Sequence, residues 1–459
     1  MSGISLIITF IIAIIIMIWM ISKLKVHPFL ALMSVSLGLA IIAGISLNKI
    51  PSIIGDGFSG TFKSIGIVII FGAIIGTVLE KTGAALKLAD IVVNIVGQKR
   101  PELAMLIMGW VVGIPVFCDS GFVVLNPIRE AISKKILANP ISMSVALSAG
   151  LYASHVFIPP TPGPIAAAGA VGLSSNILLV IIMGVVVSIP VLIASYIFAK
   201  FTSKKVMLEP SAEDDQLITQ SYDDLLKHYG PLPSGFLSLA PIIMPIFFMA
   251  LGSIGKIMGL EGDIAVPVQF LGNPIIALAI GVIFSIFLLV NTKKTVEFNE
   301  LTNETLKIVG PILFITAAGG VLGKVITEAG FVEYIKQNAV TISAAGIFFP
   351  FLISAILKTA QGSSTVAIIT TASIMGMFNA SDSLMNALGL TSEMGAALTV
   401  MAIASGAMCV SHANDSYFWV VTNFTKMTPQ QGYKTQSLLT FIMGIVGMIT
   451  VYILSLFLH

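Results

Sequence analysis

Charge is what this sequence has least of. Of 459 residues, 10% are Asp, Glu, Lys or Arg, against about 25% in soluble domains. With 56% hydrophobic residues and a mean hydropathy of +1.01, that scarcity excludes a water-soluble domain. The formal net charge of +2 is too small to suggest a nucleic-acid partner. Cysteine is nearly absent too. Cys118 and Cys409 both lie in apolar surroundings, without metal-ligand spacing, and read as small core residues. No Cys/His cluster, phosphate-binding loop or dinucleotide fingerprint occurs, so neither a cofactor, a metal nor ATP hydrolysis is expected. The first segment, Gly3 to Ile21, lacks a basic leader and an Ala-x-Ala site, and reads as a retained span.

What is present is a succession of apolar runs long enough to cross about 30 Å of hydrocarbon. They fall near 3–22, 28–47, 65–80, 141–158, 174–199, 236–257, 270–291, 309–326, 393–412 and 436–457. Two further apolar stretches, 103–133 and 339–377, are too broken by Gly, Ser and Pro to be simple spans. The long hydrophilic segment is 200–235, with "PSAEDDQ" and "SYDDLLKHYG". If the N-terminus is outside, Lys23, Lys25, Lys81, Lys87, Lys99, Arg100, Arg129, Lys134, Lys135, Lys200, Lys204, Lys205, Lys293 and Lys294 all fall on the cytoplasmic side.

The two halves resemble each other. "HPFLAL" at 27–32 matches "NPIIAL" at 273–278, and "GAIIGTVLEKTG" at 72–83 matches "GGVLGKVITEAG" at 319–330. "SAGLYASH" at 148–155 matches "SGAMCVSH" at 405–412. The order is conserved and the offsets are nearly constant. By the charge rule, the segment at 28–47 runs inside to outside and its partner at 270–291 runs the other way. Inverted-topology repeats of this kind recur in secondary transporters, with the binding site at the midplane.

The predicted fold is therefore an all-α integral membrane protein of about 10–12 spans. Its parts are a first transmembrane helix at 1–22, a first repeat at 23–200, a linker and connecting helix at 201–269, and a second repeat at 270–459. Each repeat carries a re-entrant hairpin (103–133, 339–377) and a broken, unwound helix (141–170, 393–424). The first hairpin tip is read as Asp119-Ser120-Gly121, the second as Gln361-Gly362-Ser363-Ser364-Thr365. Pro159, Pro160, Pro162 and Pro164 break the first span after His155. Its counterpart is Asn414-Asp415-Ser416, after His412.

Unwound backbone at membrane depth is tolerated where it is buried in protein or lines a watery cavity. Half-helix N-termini there carry partial positive charge suited to an anion. Ordinary helix packing also uses Gly, Ser and Thr, but the pairing of all four interruptions across the repeat favours a binding cavity. Asn414 and Gln361 are candidates for substrate hydroxyls. A carboxylate at helix centre costs about 2.5–3.5 kcal/mol, which makes Asp119 and Asp415 candidates for proton coupling; either acid also fits a helix cap. His155 and His412 occupy matching positions, open equally to a structural hydrogen bond and to proton relay.

At these residues the chain resembles the gluconate permease (GntP) family, of the ion transporter superfamily. The resemblance is carried by "KVHPFLAL", "GTVLEKTGAA", "GFVVLNPI", "LGNPI", "GSSTVAIITTASI", "HANDSYFWVV" and "GYKTQSLLTFIMG". It implies proton-coupled import of gluconate or a related sugar acid, or of glycerate or D-serine, across a bacterial inner membrane. The superfamily implies a homodimer. Two departures from the family pattern point to a smaller or differently substituted hydroxy acid. They are Asp119-Ser120-Gly121 for a Glu-Val-Gly-like tip, and "IPPTPGPIAAAG" for a "PPHPAAL"-like segment.

The expected partners are thus an organic acid anion, a proton and the lipid bilayer. The substrate contacts expected are Ser120, Gly121, Thr161, Gly362, Ser363, Ser364, Thr365, Asn414 and Ser416, with Asp119, Asp415, His155 and His412 as coupling residues. The alternatives are sodium coupling, passive passage, and an intramembrane hydrolase using Ser411, His412 and Asp415. Neighbouring helical residues point about 100° apart, which disfavours a Ser411–His412 hydrogen bond.

Overall fold

The computed structural model describes residues 3–96, 100–136, 138–205, 230–294, 298–330, 346–412 and 415–458, and among them there is no β-strand. Most of the hydrophilic linker lies outside the described residues. Helix α1 (Gly3–Ser22) precedes the first repeat. The latter comprises α2 (Pro28–Ile42), α3 (Ile50–Lys81), α4 (Ala84–Val96), α5 (Pro101–Val112), α6 (Cys118–Ile136), α7 (Pro140–Phe157), α8 (Pro162–Ala170) and α9 (Ile177–Lys205). Helices α10 (Gly235–Ile257) and α11 (Ala265–Gly272) lead to α12 (Pro274–Asn291), which opens the second repeat. There follow α13 (Phe298–Glu328), α14 (Phe348–Gln361), α15 (Ser364–Met375), the short α16 (Leu384–Ala387), α17 (Glu393–Met408) and α18 (Ser416–Thr425). A single turn, α19 (Pro429–Gly432), and a π-helical stretch at Tyr433–Ser437 run into α20 (Leu438–Ser455).

Matching sequence motifs start matching helices. His27 Nδ1 accepts the Phe29 N–H at the start of α2, and Asn273 Oδ1 accepts the Ile275 N–H at the start of α12. Proline follows each cap. Both use a side-chain acceptor for an orphan donor, with proline where no N–H is needed.

The packing is reciprocal between the halves. Helix α2 lies on α13 while α12 lies on α3, and α3 and α13 pack on each other. The hairpin arms α5 and α14 pack on the broken-span helices α7 and α17. Helices α7 and α17 in turn lie against α9 and α20. Each second hairpin arm also reaches the opposite half, α6 touching α18 and α15 touching α8. The fold is thus two inverted-topology repeats with re-entrant hairpins and unwound spans, interlocked at their centres.

Six helices among the described residues are long and apolar enough to cross a membrane. Their surroundings separate them by role. The apolar window of Pro140–Ala170 is wholly buried, whereas that of Ile177–Thr202 is 44% buried and faces outward. The two breaks thus fall in or beside helices enclosed by protein, where other groups satisfy the freed backbone. In the first break the Thr161 hydroxyl donates to the carbonyls of His155 and Ile158, both at 2.8 Å. In the second, Ser411 N–H donates to Thr440 Oγ1 (2.9 Å), and the Ser437 hydroxyl donates to Ser411 O (2.5 Å). The π-helical turn is where Ser437 turns toward that break.

Two sequence expectations shift in register. The first hairpin turns at residues 113–117, ahead of Asp119-Ser120-Gly121, which lie in the first turn of α6. The turn follows Gly113 and contains Pro115, so the proline ends the first arm. The first span continues two residues past His155, to Phe157, because its prolines begin only at 159.

Glycines repeated between the halves permit equivalent close packing within each half. A Cβ on Gly72 would lie 2.7 Å from Pro160 O, and one on Gly319 would lie 2.6 Å from Ser373 Oγ. Gly76 sits on Pro115 O and Gly323 on Ser373 O, closer still. Gly76→Ala is therefore expected to destabilise the protein by about 1–3 kcal/mol, read as a lower Tm in detergent. The helical control Gly55→Ala, with open space around the new methyl, should leave Tm unchanged or raised.

Candidate functional site

A cavity of about 280 Å³ lies where the first hairpin, the second hairpin and the second break meet. It is lined by Phe117, Cys118, Asp119, Tyr152, His155, Gly362, Ser363, Ser364, Thr365, Asp415, Ser416 and Tyr417. Three helices begin at its wall, α6 at Cys118, α15 at Ser364 and α18 at Ser416. Helix starts leave four N–H groups each without intrahelical partners and carry the positive end of the helix dipole. The walls thus combine converging donors with hydroxyls and two carboxyl groups.

Local sequence explains each start. Gly362 takes the left-handed conformation (φ 89°) that ends α14, which favours a residue without a Cβ. Ser363 then caps α15, its hydroxyl oxygen accepting the Val366 N–H at 3.3 Å. Asp415 caps α18, Oδ1 accepting the Tyr417 N–H at 3.1 Å.

Asp415 is also one half of a buried ion pair. Lys358, whose side chain is 1% exposed, places Nζ 2.6 Å from Asp415 Oδ2, and the Ser411 hydroxyl donates to the same oxygen at 2.5 Å. The ammonium also donates to the Gly362 carbonyl and lies 5.8 Å from the centre of the Tyr152 ring. Lys358 was not among the residues singled out from sequence. A signal was available: it is a lone cation within an apolar helix, four residues before a glycine that ends it.

Asp119 is held differently. It accepts a hydrogen bond from the Ser416 hydroxyl (3.3 Å) and a weak contact from the Cys118 thiol (3.8 Å). Among the described residues no cation bonds to it. His155 is 94% buried, has its ring 5.8 Å from that of Phe117 at a 48° tilt and lines the cavity, and its Nδ1 has no hydrogen-bond partner among the described residues.

Of the sequence-predicted residues, Asp119, His155, Gly362, Ser363, Ser364, Thr365, Asp415 and Ser416 come together here. Asn414 lies outside the described residues, and the side chains of Ser120 and Gln361 are likewise not described. Three others do not line the cavity. Gly121 is used for packing, since a Cβ there would meet Leu151 at 2.7 Å. Thr161 spends its hydroxyl on the first break. His412 Nε2 lies 2.9 Å from the Thr359 carbonyl, and the residue sits in unwound backbone, whereas His155 is in the last turn of α7. The two histidines match in sequence but not in environment.

The whole chain matches known proteins. Residues 5–457 match the model of the GntP family permeases. The chain is 31% identical over 454 residues to the inner membrane permease YgbN of Escherichia coli (strain K12), covering 97% of this chain and 98% of the relative. It is 28% identical over 444 residues to the gluconate permease of Pseudomonas aeruginosa, covering 95% and 94%. The fold is similar to that of the Alcanivorax borkumensis YdaH transporter, with a TM-score of 0.62 at 15% identity, covering 94% of this chain and 97% of that one. This chain belongs to the GntP permease family and is a multi-pass membrane protein.

Removing one partner of a buried ion pair leaves an uncompensated charge, at about 3–5 kcal/mol. Lys358→Met is therefore expected to lower Tm sharply, and Lys358→Met with Asp415→Asn to recover most of the loss. Thermal unfolding of the two single variants and the double variant measures the coupling.

Proposed function

We propose, from membership of this permease family, that the chain is a secondary active transporter. It imports gluconate or a related small hydroxylated carboxylate, a sugar acid or glycerate, together with a proton. The observation that carries this reading is the meeting of three helix N-termini, four serine and threonine side chains and His155 around one small cavity. Donors from α15 and α18 suit a substrate carboxylate, and Ser364, Thr365, Ser416 and His155 suit its hydroxyls. At about 280 Å³ the cavity is at the lower end for ligand sites, which favours a small acid. Asp119 and Asp415 are the groups in position to exchange a proton with it.

The hydrolase alternative finds no support in the polar contacts. Ser411 gives its hydroxyl hydrogen to Asp415, while the His412 ring is paired with Thr359 O. A serine nucleophile needs an imidazole within hydrogen-bond reach as its base. The Lys and Arg distribution supports an outside N-terminus, and the name of the E. coli relative supports the inner membrane of a bacterium.

Gluconate or glycerate should raise the Tm of the detergent-purified protein, by mass action on the folded state. In proteoliposomes, an acid-outside pH gradient should drive accumulation of the labelled acid above its external concentration. Accumulation that follows only a sodium gradient would establish the sodium alternative, and simple equilibration would establish passive passage. Ser364→Ala and Thr365→Val should each raise KM about two- to tenfold, the equivalent of one hydrogen bond of about 0.5–1.5 kcal/mol.

A further inference from the structure

The two carboxylates of the cavity are not equivalent, and we infer that the transported proton resides on Asp119, one per anion, and must bind before the anion does. This rests on the symport reading above and adds to it the site, number and order of the proton.

Charge counting at the cavity leads there. Asp415 is satisfied as an anion. Its two oxygens receive the Lys358 ammonium, the Ser411 hydroxyl and the Tyr417 N–H. A proton on Asp415 would remove the charge that compensates the buried Lys358 ammonium, which also donates to the Gly362 carbonyl. Asp119 has no such commitment. Among the described residues its side-chain contacts are one hydroxyl at 3.3 Å and one thiol at 3.8 Å, beside its own backbone N–H.

The other titratable groups facing this space are Cys118 on the same helix, Tyr152 and His155 on α7, and Tyr417 on α18. None of these brings a second fixed cation when His155 is neutral. Arg129 and Glu130 are ten or more residues along α6, about 15 Å away at the helical rise. With Lys358 cancelling Asp415, the ionised cavity carries one net negative charge, that of Asp119.

A monoanion entering that cavity meets a like charge in a poorly solvated space, where repulsion is weakly screened. A proton on Asp119 removes the repulsion and changes the hydrogen bonding in the same step. The carboxyl group becomes a donor, and the Ser416 hydroxyl is released from Asp119 Oδ1 to turn toward the ligand. One acceptor and one engaged donor become two donors aimed at an anion. On the cytoplasmic side, loss of the proton restores the repulsion and favours release of the anion. Proton and anion leave together, and the empty cavity returns with the charge it began with.

The test uses gluconate as probe and the full-length protein in detergent and in liposomes. Gluconate affinity of the wild type should fall about tenfold per unit rise in pH in the range where Asp119 is ionised, the slope set by linkage to one proton. Calorimetry in buffers of different ionisation enthalpy should then show uptake of one proton per gluconate bound. Asp119→Asn, a fixed stand-in for the protonated acid, should bind gluconate with a flat pH profile. It should exchange labelled for unlabelled gluconate, and should lose accumulation driven by a pH gradient. Asp119→Glu should retain a sloped profile, which a purely structural role for this position does not require. Should Asp119→Asn fail to fold, the proton count on the wild type and the profile of Asp119→Glu decide. An uptake of zero or two protons, a flat wild-type or Asp119→Glu profile, or an Asp119→Asn profile that keeps the wild-type slope overturns the inference. If wild-type protein binds no sugar acid at any pH, the symport reading has failed instead.

Discussion

The contact on which the centre of this protein depends is the buried pair of Lys358 and Asp415, 2.6 Å apart. It ties the tip of one re-entrant hairpin to the start of a half-helix across a break in a membrane span. Lys358 reaches forward four residues to the carbonyl of Gly362, so the same ammonium holds the hairpin turn and the helix cap. An ammonium and a carboxylate each carry a large desolvation penalty in such a place, and only together, with further hydrogen bonds, are they tolerated. The geometry of the cavity wall follows from that mutual need. Where Ser363, Ser364 and Thr365 stand relative to Ser416 is set by a bond that is itself mostly hidden from the cavity.

The same pair divides the work between two acids that look alike in sequence. Both lie among small polar residues in apolar surroundings, and both begin a helix. Asp415 is surrounded by donors and serves as a cap and as the partner of a cation. Among the described residues Asp119, facing it, receives one hydroxyl and a thiol from side chains. One acid is fixed as the partner of a cation and the other is not, although they stand side by side. The interlocked repeats bring the two together, since Asp119 belongs to the first half and Asp415 to the second.

Much of this was legible in the residues. The scarcity of charge placed the chain in a membrane. Gly, Ser and Pro within apolar runs marked the hairpins and breaks, because each of these residues alters or forgoes helical hydrogen bonds in a defined way. His27-Pro28 and Asn273-Pro274 announced matching helix starts. The gathering of eight sequence-predicted residues at one cavity reflects that only interrupted backbone can present free polar groups at that depth. What escaped was anything dependent on a partner from another element. Lys358 lies 57 residues before the acid it neutralises, with three helices between them. Thr161 and Gly121 look like ligands until the groups they bond or pack against are seen.

The sequence by itself determined that the chain is an all-helical membrane protein of two related halves, and where each half interrupts its spans. Those properties are local, arising from hydropathy, proline, glycine and capping along a single run of chain. The tertiary structure decided which interruptions share a cavity, which histidine lines it and which aspartate pairs with Lys358. His155 and His412 follow the same Ser-His dipeptide, yet one ends a buried helix with an unpartnered nitrogen and the other lies in unwound backbone beside Thr359. Charge compensation and hydrogen-bond satisfaction are properties of neighbours in space, and many of those neighbours are distant in sequence, Lys358 and Asp415 by 57 residues and Asp119 and Ser416 by 297.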